Sequence, residues 1–322
     1  MIDGEFTSLI DVVRSMLQET EAIRDKEPEE IRALRTGTLC NRAGTNSQYF
    51  TTWDFVNGMI RDQSMYTWYH FVELAEDNNF SLDNICKVVN LFDHPYSNFL
   101  RYTGFPKLGR LAAALRKHLP SASTRQQAVE AVRNFCAYTN LLAAWSFHYF
   151  PWNLGEQFRY DNRAQLHVHD TPRDLTRRVQ ISSGTQIMLT WEPLGISVNA
   201  FLATNENPEL CDDIIRVLPF RVLQDHAVVS GKSMYAWAPV VSTAPVRVKE
   251  RQCDAPKGRI RFSQGTGNKL IIQYGEVTED IETPVLGEIV PEHWDRLDEV
   301  GRRVLQSTFD TKELIWVKVE IA

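Results

Sequence analysis

Cysteine is scarce and scattered in this chain of 322 residues. Cys40, Cys86, Cys136, Cys211 and Cys253 form no CxxC pair and are odd in number, which predicts neither a disulfide framework nor a zinc site. Isolated thiols of this kind pack as small apolar groups in a reducing compartment, so a cytoplasmic location is expected. Positive charge is not in excess: 35 Lys and Arg against 41 Asp and Glu give a net charge of −6. That balance argues against broad binding to nucleic acid or to anionic membranes, both of which need a basic face. No apolar run approaches the roughly 20 residues that a bilayer span requires. The opening MIDGEFTSLIDVV has acids where a signal peptide needs Lys or Arg, and no apolar core segment. A phosphate loop, a GxSxG elbow and an HExxH motif are all missing. The one GxG, Gly265-Thr-Gly267, leads into the strand-like LIIQY rather than into a helix. A dinucleotide site needs its phosphate at a helix N-terminus, so this GxG is expected to be a hairpin turn, and no redox cofactor is expected.

What is present divides the chain in two. Apolar residues make up 43% and charged residues 24%, enough for a full hydrophobic core. Over residues 1–35, Leu9, Ile10, Val13, Met16 and Leu17 recur with helical spacing. Further helices are predicted from an N-cap at Ser81, over LGRLAAALRKHL before Pro120, and from Ser123 or Thr124 toward Phe147. The polar stretch 36–48 reads as a loop, and the aromatics of 53–71 are candidates for a homo-oligomer interface. Residues 150–178 are broken by Pro151, Gly155 and Pro172 and read as a connector. After Gly184 the period changes to two. TQIMLTW and GISVNAFLA flank a Glu192-Pro-Leu-Gly turn, and strands follow at 221–229, 234–238, 246–250, 258–262 and 269–274. One short helix starts at Asn207-Pro208, and a terminal helix spans about 291–305 before a last strand at 314–321. The fold class is therefore α+β. A helical bundle with connector is expected over 1–180, and a small closed β-barrel with a C-terminal helix and strand over 181–322.

Several residues can carry chemistry. His167, His169 and Asp170 can chelate a metal or can form a plain polar strand; no third ligand stands at a characteristic spacing, so no metal is expected. His226 shares a strand face with Gln224, while Arg221, Leu223 and Asp225 share the other. It lies near Lys232 and Tyr235 in sequence, and these titratable groups are expected to converge. Arg221, Arg259 and Arg261 offer paired donors suited to carboxylates. Trp237, Gln273 and Tyr274 are further candidates, although Tyr235 and Trp237 also suit a core.

The run LPFRVLQDHAVVSGKSMYAWAP resembles a segment of bacterial cyclophilin-like domains. GRIRFSQGTGNKLIIQYG resembles their paired second signature, and Pro284-Val-Leu-Gly-Glu-Ile their closing strand. The likeness covers about residues 184–290. Such a domain coupled to a helical bundle is similar to the cucumopine and mikimopine opine synthases. Lys232 stands where the domain family often has an acid, and the Phe-His-Arg signature of prolyl isomerases has no counterpart. The resemblance implies a cofactor-independent Pictet–Spengler-type condensation of L-histidine with 2-oxoglutarate. It assigns His226 as base, Tyr235 as proton donor or orienting group, and Arg221, Lys232, Trp237, Arg261 and Gln273 to substrate binding. The competing expectation is a non-catalytic barrel that holds a small carboxylate; a purely structural barrel beside a helical interaction module is a third.

Overall fold

The computed structural model describes residues 6–38, 53–102, 104–152 and 174–322. Cys40, most of the expected 36–48 loop, and the His167, His169 and Asp170 cluster lie outside them. The chain divides into two units, Met1–Phe150 and, apart from the turn Gly265–Gly267, Pro151–Ala322.

Helical spacing and capping build the first unit. Its described α-helices are Leu9–Ala22, Glu29–Arg35, Trp53–Asp62, Tyr69–Glu76, Leu82–Tyr102, Pro106–His118 and Arg125–Tyr149, with a π-helical turn Gln63–Trp68 joining the third to the fourth. Side-chain caps stand where hydroxyls precede a helix: Ser8 accepts from the Asp11 N–H, Ser81 from Asn84 and Thr124 from Gln127. The helix Arg125–Tyr149 is buried along most of its length. Paired polar groups fix it among its neighbours. Ser64 donates to Asn140 at 2.5 Å, Ser146 to Asn57 at 3.1 Å, and the Trp145 indole to the Ile23 carbonyl at 2.8 Å. The aromatics expected at an interface are largely internal. Trp68, Tyr69 and Phe71 are buried, and Tyr66 is the exposed one among the described Phe, Trp and Tyr side chains of 53–71. Their apolar faces find partners inside the bundle, Trp68 packing on Phe135 at 4.2 Å between ring centroids.

The second unit is an antiparallel sheet. Its strands are β1 Gln186–Trp191, β2 Ile196–Leu202, β3 Phe220–Leu223, β4 Asp225–His226, β5 Gly231–Trp237, β6 Lys249–Arg251, β7 Arg259–Ser263, β8 Lys269–Val277, β9 Glu282–Ile289 and β10 Trp316–Ile321. They are ordered β3-β10-β1-β2-β9-β7-β8-β5-β4, with β6 paired to β9 outside this path. The two ends of the path, β3 and β4, are consecutive pieces of one segment. The single strand expected over 221–229 is thus interrupted at Gln224: its first half pairs with β10 and its second with β5. One segment bordering both ends curls the sheet into a nearly closed barrel, which leaves few free edge groups.

Alternate residues point inward. Ile187, Val198, Met234, Ile260, Ile272 and Val317 belong to one buried cluster, joined by Leu210 and Ile214 of helix Pro208–Arg216 and by Leu297, Val300 and Val304 of helix Trp294–Gln306. Asn207 precedes the first of these helices, but its side chain does not cap it. Its amide instead donates to the Val248 and Val285 carbonyls and accepts from the Arg247 and Val248 N–H groups, so four backbone groups depend on one buried side chain. Gly265-Thr-Gly267 lies in the connection between the paired strands β7 and β8, as the hairpin reading expects. No described helix is long and apolar enough to cross a membrane.

Candidate functional site

Period two sends the other half of each strand's side chains to the outer face, and on β4, β5, β8 and β7 most of these are polar or aromatic. The register aligns them in rows. Asp225 faces Tyr235, Tyr235 faces Ile271 and Ile271 faces Arg261; beside this row run Trp237–Lys269–Ser263 and Ser233–Gln273. Tyr235 and Trp237 meet edge to face at 5.8 Å between centroids, and the Lys269 ammonium lies 4.8 Å from the first ring and 5.2 Å from the second. Although on the outer face, Trp237, Arg261, Lys269 and Gln273 are buried. The segment after β6 lies over part of them: Arg261 Nη1 donates to the Gln252 carbonyl at 3.3 Å and to Gln273 Oε1 at 3.0 Å, and Gln273 Nε2 donates to the Ala255 carbonyl at 3.0 Å.

Two arginines on β7 separate in character. Arg259 is fully enclosed and saturated: Nε meets Glu250 at 2.7 Å, Nη1 meets Glu288 at 2.8 Å, and Nη2 reaches the Val179 carbonyl at 2.5 Å. Arg261, two residues on, is equally enclosed at 0% exposure, yet Nε and Nη2 have no hydrogen-bond partner among the described residues. Those two nitrogens are the side-on edge with which an arginine grips a carboxylate. Elsewhere in this protein the same edge is filled: Arg35 holds both Glu27 oxygens at 2.9 Å, and Arg251 holds Asp254 at 2.7 and 2.9 Å. Burial pushes the Arg261 guanidinium down to about 10, partly offset by the charge of Glu250 and, more weakly, Glu279. It remains a cation at neutral pH, at a desolvation cost of several kcal/mol. Glu279 also bears on Tyr235. Burial raises the phenol's pKa first, and the Asp225 and Glu279 charges raise it further. The Glu279 carbonyl accepts from the Cys253 N–H at 3.1 Å, which holds its segment next to the peptide that receives Arg261.

Of the residues singled out in the sequence, Tyr235, Trp237, Arg261 and Gln273 come together on this face. Three do not. His226 faces inward: it pairs with Met234, Nδ1 donates to the Ala227 carbonyl at 2.6 Å, and Nε2 accepts from the Tyr274 hydroxyl at 2.8 Å. The expected convergence of His226 with Tyr235 fails because adjacent strand positions project to opposite faces. Arg221 is on β3, four positions before Asp225, bonded to Glu192 at 2.6 Å and stacked over Trp316 at 4.3 Å. Lys232 is exposed, at the start of β5 where the register slips, with its stem beside Gly275. Sequence reasoning missed Asp225, Lys269 and Glu279. Lys269 was reachable, since it has the same parity as Gln273 along β8; Glu279 sits beyond β8 in a segment without period. Among the described residues no group of three or more His, Cys, Asp or Glu is placed to hold a metal.

Burial depresses the His226 pKa, against the opposing pull of the Ala227 carbonyl and the Asp225 charge. An unfolded chain therefore binds the proton near pH 6.5, before the native one does. Its contribution to stability is present above pH 6.5 and is lost as pH falls toward the lower native value. Melting temperatures of the parent and of His226→Gln, compared at pH 7.5 and 5.5, are expected to show the steeper acid loss in the parent; equal slopes would contradict a neutral buried His226.

Residues 9–149 match the family model of the cucumopine synthase C-terminal helical bundle domain. Over these residues the first unit is similar to a cucumopine synthase helical bundle. The match spans less than half of the chain, and here the bundle precedes the sheet. Among solved structures, that of McbB in complex with tryptophan is 34% identical, covering 42% of this chain and 44% of that one with a TM-score of 0.39. The likeness spans less than half of McbB. No curated protein matches. The matched bundle and the Tyr235–Arg261 face belong to different units, each well packed in its own right.

Proposed function

We propose that this chain is an opine-synthase-type enzyme that condenses an amino acid with a 2-oxo acid, L-histidine with 2-oxoglutarate, without a redox cofactor. The vacant side-on edge of Arg261 carries the reading, because a buried guanidinium with two unfilled parallel donors is complementary to a carboxylate. The bundle match supports the same class of chemistry.

The reaction balances without electrons gained or lost. The amine adds to the keto carbon, water leaves, and the iminium that results is attacked by an imidazole ring carbon; a base then takes the ring proton. Arg261 receives one carboxylate. Lys269 sits on the diagonal of the β7–β8 pair, within about 7–8 Å between Cβ atoms, and receives a second. Trp237 and the ring of Tyr235 offer an apolar wall to the imidazole. The Tyr235 phenol, kept protonated by burial and by neighbouring acids, donates a proton as water leaves. Glu279, whose charge acts on both Tyr235 and Arg261, takes the ring proton in place of the inward-facing His226. Each proton-transfer group contributes about 10²–10⁴-fold, and holding both reactants together contributes more.

Purified protein incubated with the two substrates and no nicotinamide is expected to form a product at their summed mass less one water. Thermal stabilisation by 2-oxoglutarate without product, across a panel of amino acids, would instead make the barrel a carboxylate-binding module.

A further inference from the structure

Carboxylates hold two enclosed arginines elsewhere in this protein. Arg259 meets Glu250 and Glu288, and Arg116, 8% exposed at its side chain, meets Asp93. Arg261 is as fully enclosed as Arg259 but is tethered by uncharged groups. Its hydrogen-bond partners among the described residues are the Gln252 carbonyl and Gln273 Oε1, both on Nη1. The Gln273 amide serves in one orientation. Nε2 donates to the Ala255 and Gly275 carbonyls at 3.0 Å each, so both of its hydrogens are engaged and Oε1 is left to face the guanidinium. Turned over, the amide would set its oxygen against two carbonyls and its hydrogens against a cation. Gln273 is itself buried, and its three bonds tie β7, β8 and the segment after β6 to one side chain.

We infer that Gln273 positions Arg261 rather than touching the substrate, and that the neutrality of its amide leaves the guanidinium charge uncompensated for an incoming carboxylate. The inference rests on the reading that Arg261 receives a carboxylate. The bond from Nη1 fixes the guanidinium plane from one nitrogen and leaves Nε and Nη2 over. A glutamate of the same length would carry its own carboxylate into hydrogen-bonding reach, where its two oxygens match that side-on edge and compete for it. Arg259 shows the outcome of such pairing, a guanidinium whose charge is matched inside the protein. The acids that act on Arg261 do so weakly or from a distance: burial lowers its pKa to about 10 despite Glu250, which is itself bonded to Arg259, and Glu279. A neutral tether therefore selects an anion, and a carboxylate among anions, because two parallel donors await two coplanar oxygens.

Calorimetric titration of the full chain with 2-oxoglutarate tests the role. Gln273→Glu is expected to weaken binding by about 10²-fold or more, since it fills the edge and sets a like charge against the ligand. Gln273→Met removes the tether but not the charge, and is expected to weaken binding by about 10-fold, seen in turnover as a raised KM with kcat little changed. A second measurement needs no ligand. Arg261→Leu, which leaves the melting temperature of the parent unchanged or higher, is expected to lower it by several degrees in the Gln273→Glu background, where it strands the new acid. Parental affinity in Gln273→Glu overturns the inference, as does an Arg261→Leu effect on melting that is the same in both backgrounds. Should Gln273→Glu not fold, parental affinity in Gln273→Met overturns it. A parent that binds no 2-oxoglutarate refutes the condensation reading instead, and the two melting comparisons then decide for or against Gln273 by themselves.

Discussion

Arg261→Leu is expected to lower kcat/KM for the 2-oxo acid by about 10²–10³-fold while leaving the melting temperature unchanged or higher. The loss follows from two charge-assisted hydrogen bonds to a carboxylate, each worth about 1.5–3 kcal/mol. The stability expectation follows from the unfilled Nε and Nη2 donors: the native state bears the desolvation of a cation whose side-on edge is unpaired, and an apolar side chain of similar volume removes that burden. Against it stand the two acceptors that Nη1 now satisfies, Gln252 and Gln273, and Gln273 can turn toward its other contacts. Arg261→Lys refines the test, since it keeps the charge but not the parallel pair of donors; it should recover only part of the activity. Parental kcat/KM in both variants would remove Arg261 from substrate binding.

Arg259→Met should do the reverse. Here the guanidinium is the sole link between the buried Glu250, 1% exposed at its side chain, and Glu288, so its removal strands acids in the interior at a cost of about 3–5 kcal/mol. The Val179 carbonyl also loses its donor, loosening the segment that leads into β1. Burial already raises the Glu288 carboxyl, with Arg259 opposing. Urea denaturation measures the loss, and Glu250→Gln in the same background should restore part of it while still accepting from the Val179 N–H. A loss below about 1 kcal/mol would mean that the acids find water instead. Two arginines on one face of one strand are thus predicted to differ in kind, one holding the barrel together and the other kept for a ligand.

The fold was legible where local rules act locally. Ser81 and Thr124 cap the helices they precede, the Glu192-Pro-Leu-Gly turn joins β1 to β2 through a left-handed Gly195 (φ 65°), and period two marks β1, β2 and β8. The interruption at Gln224 was not legible, because a strand that changes partners keeps its alternation while its neighbours change; only the closure of the sheet reveals it. The same limit misplaced His226. Neighbours in sequence suggested neighbours in space, whereas the pleat sends His226 to Tyr274 and Asp225 to Tyr235. Tyr235, Trp237, Arg261 and Gln273 came together because they lie on strands whose register aligns them, and Glu279 escaped notice because a segment without period gives no parity to read.

The most direct test uses L-histidine deuterated at the imidazole carbon that attacks. Incubation with 2-oxoglutarate is expected to give a condensed product from which the ring deuteron has been lost to solvent, since the ring rearomatises only by releasing it. A condensed product that retains the deuteron would show that the chain stops at the imine, and would contradict the ring-closing reaction assigned to the Tyr235–Arg261 face.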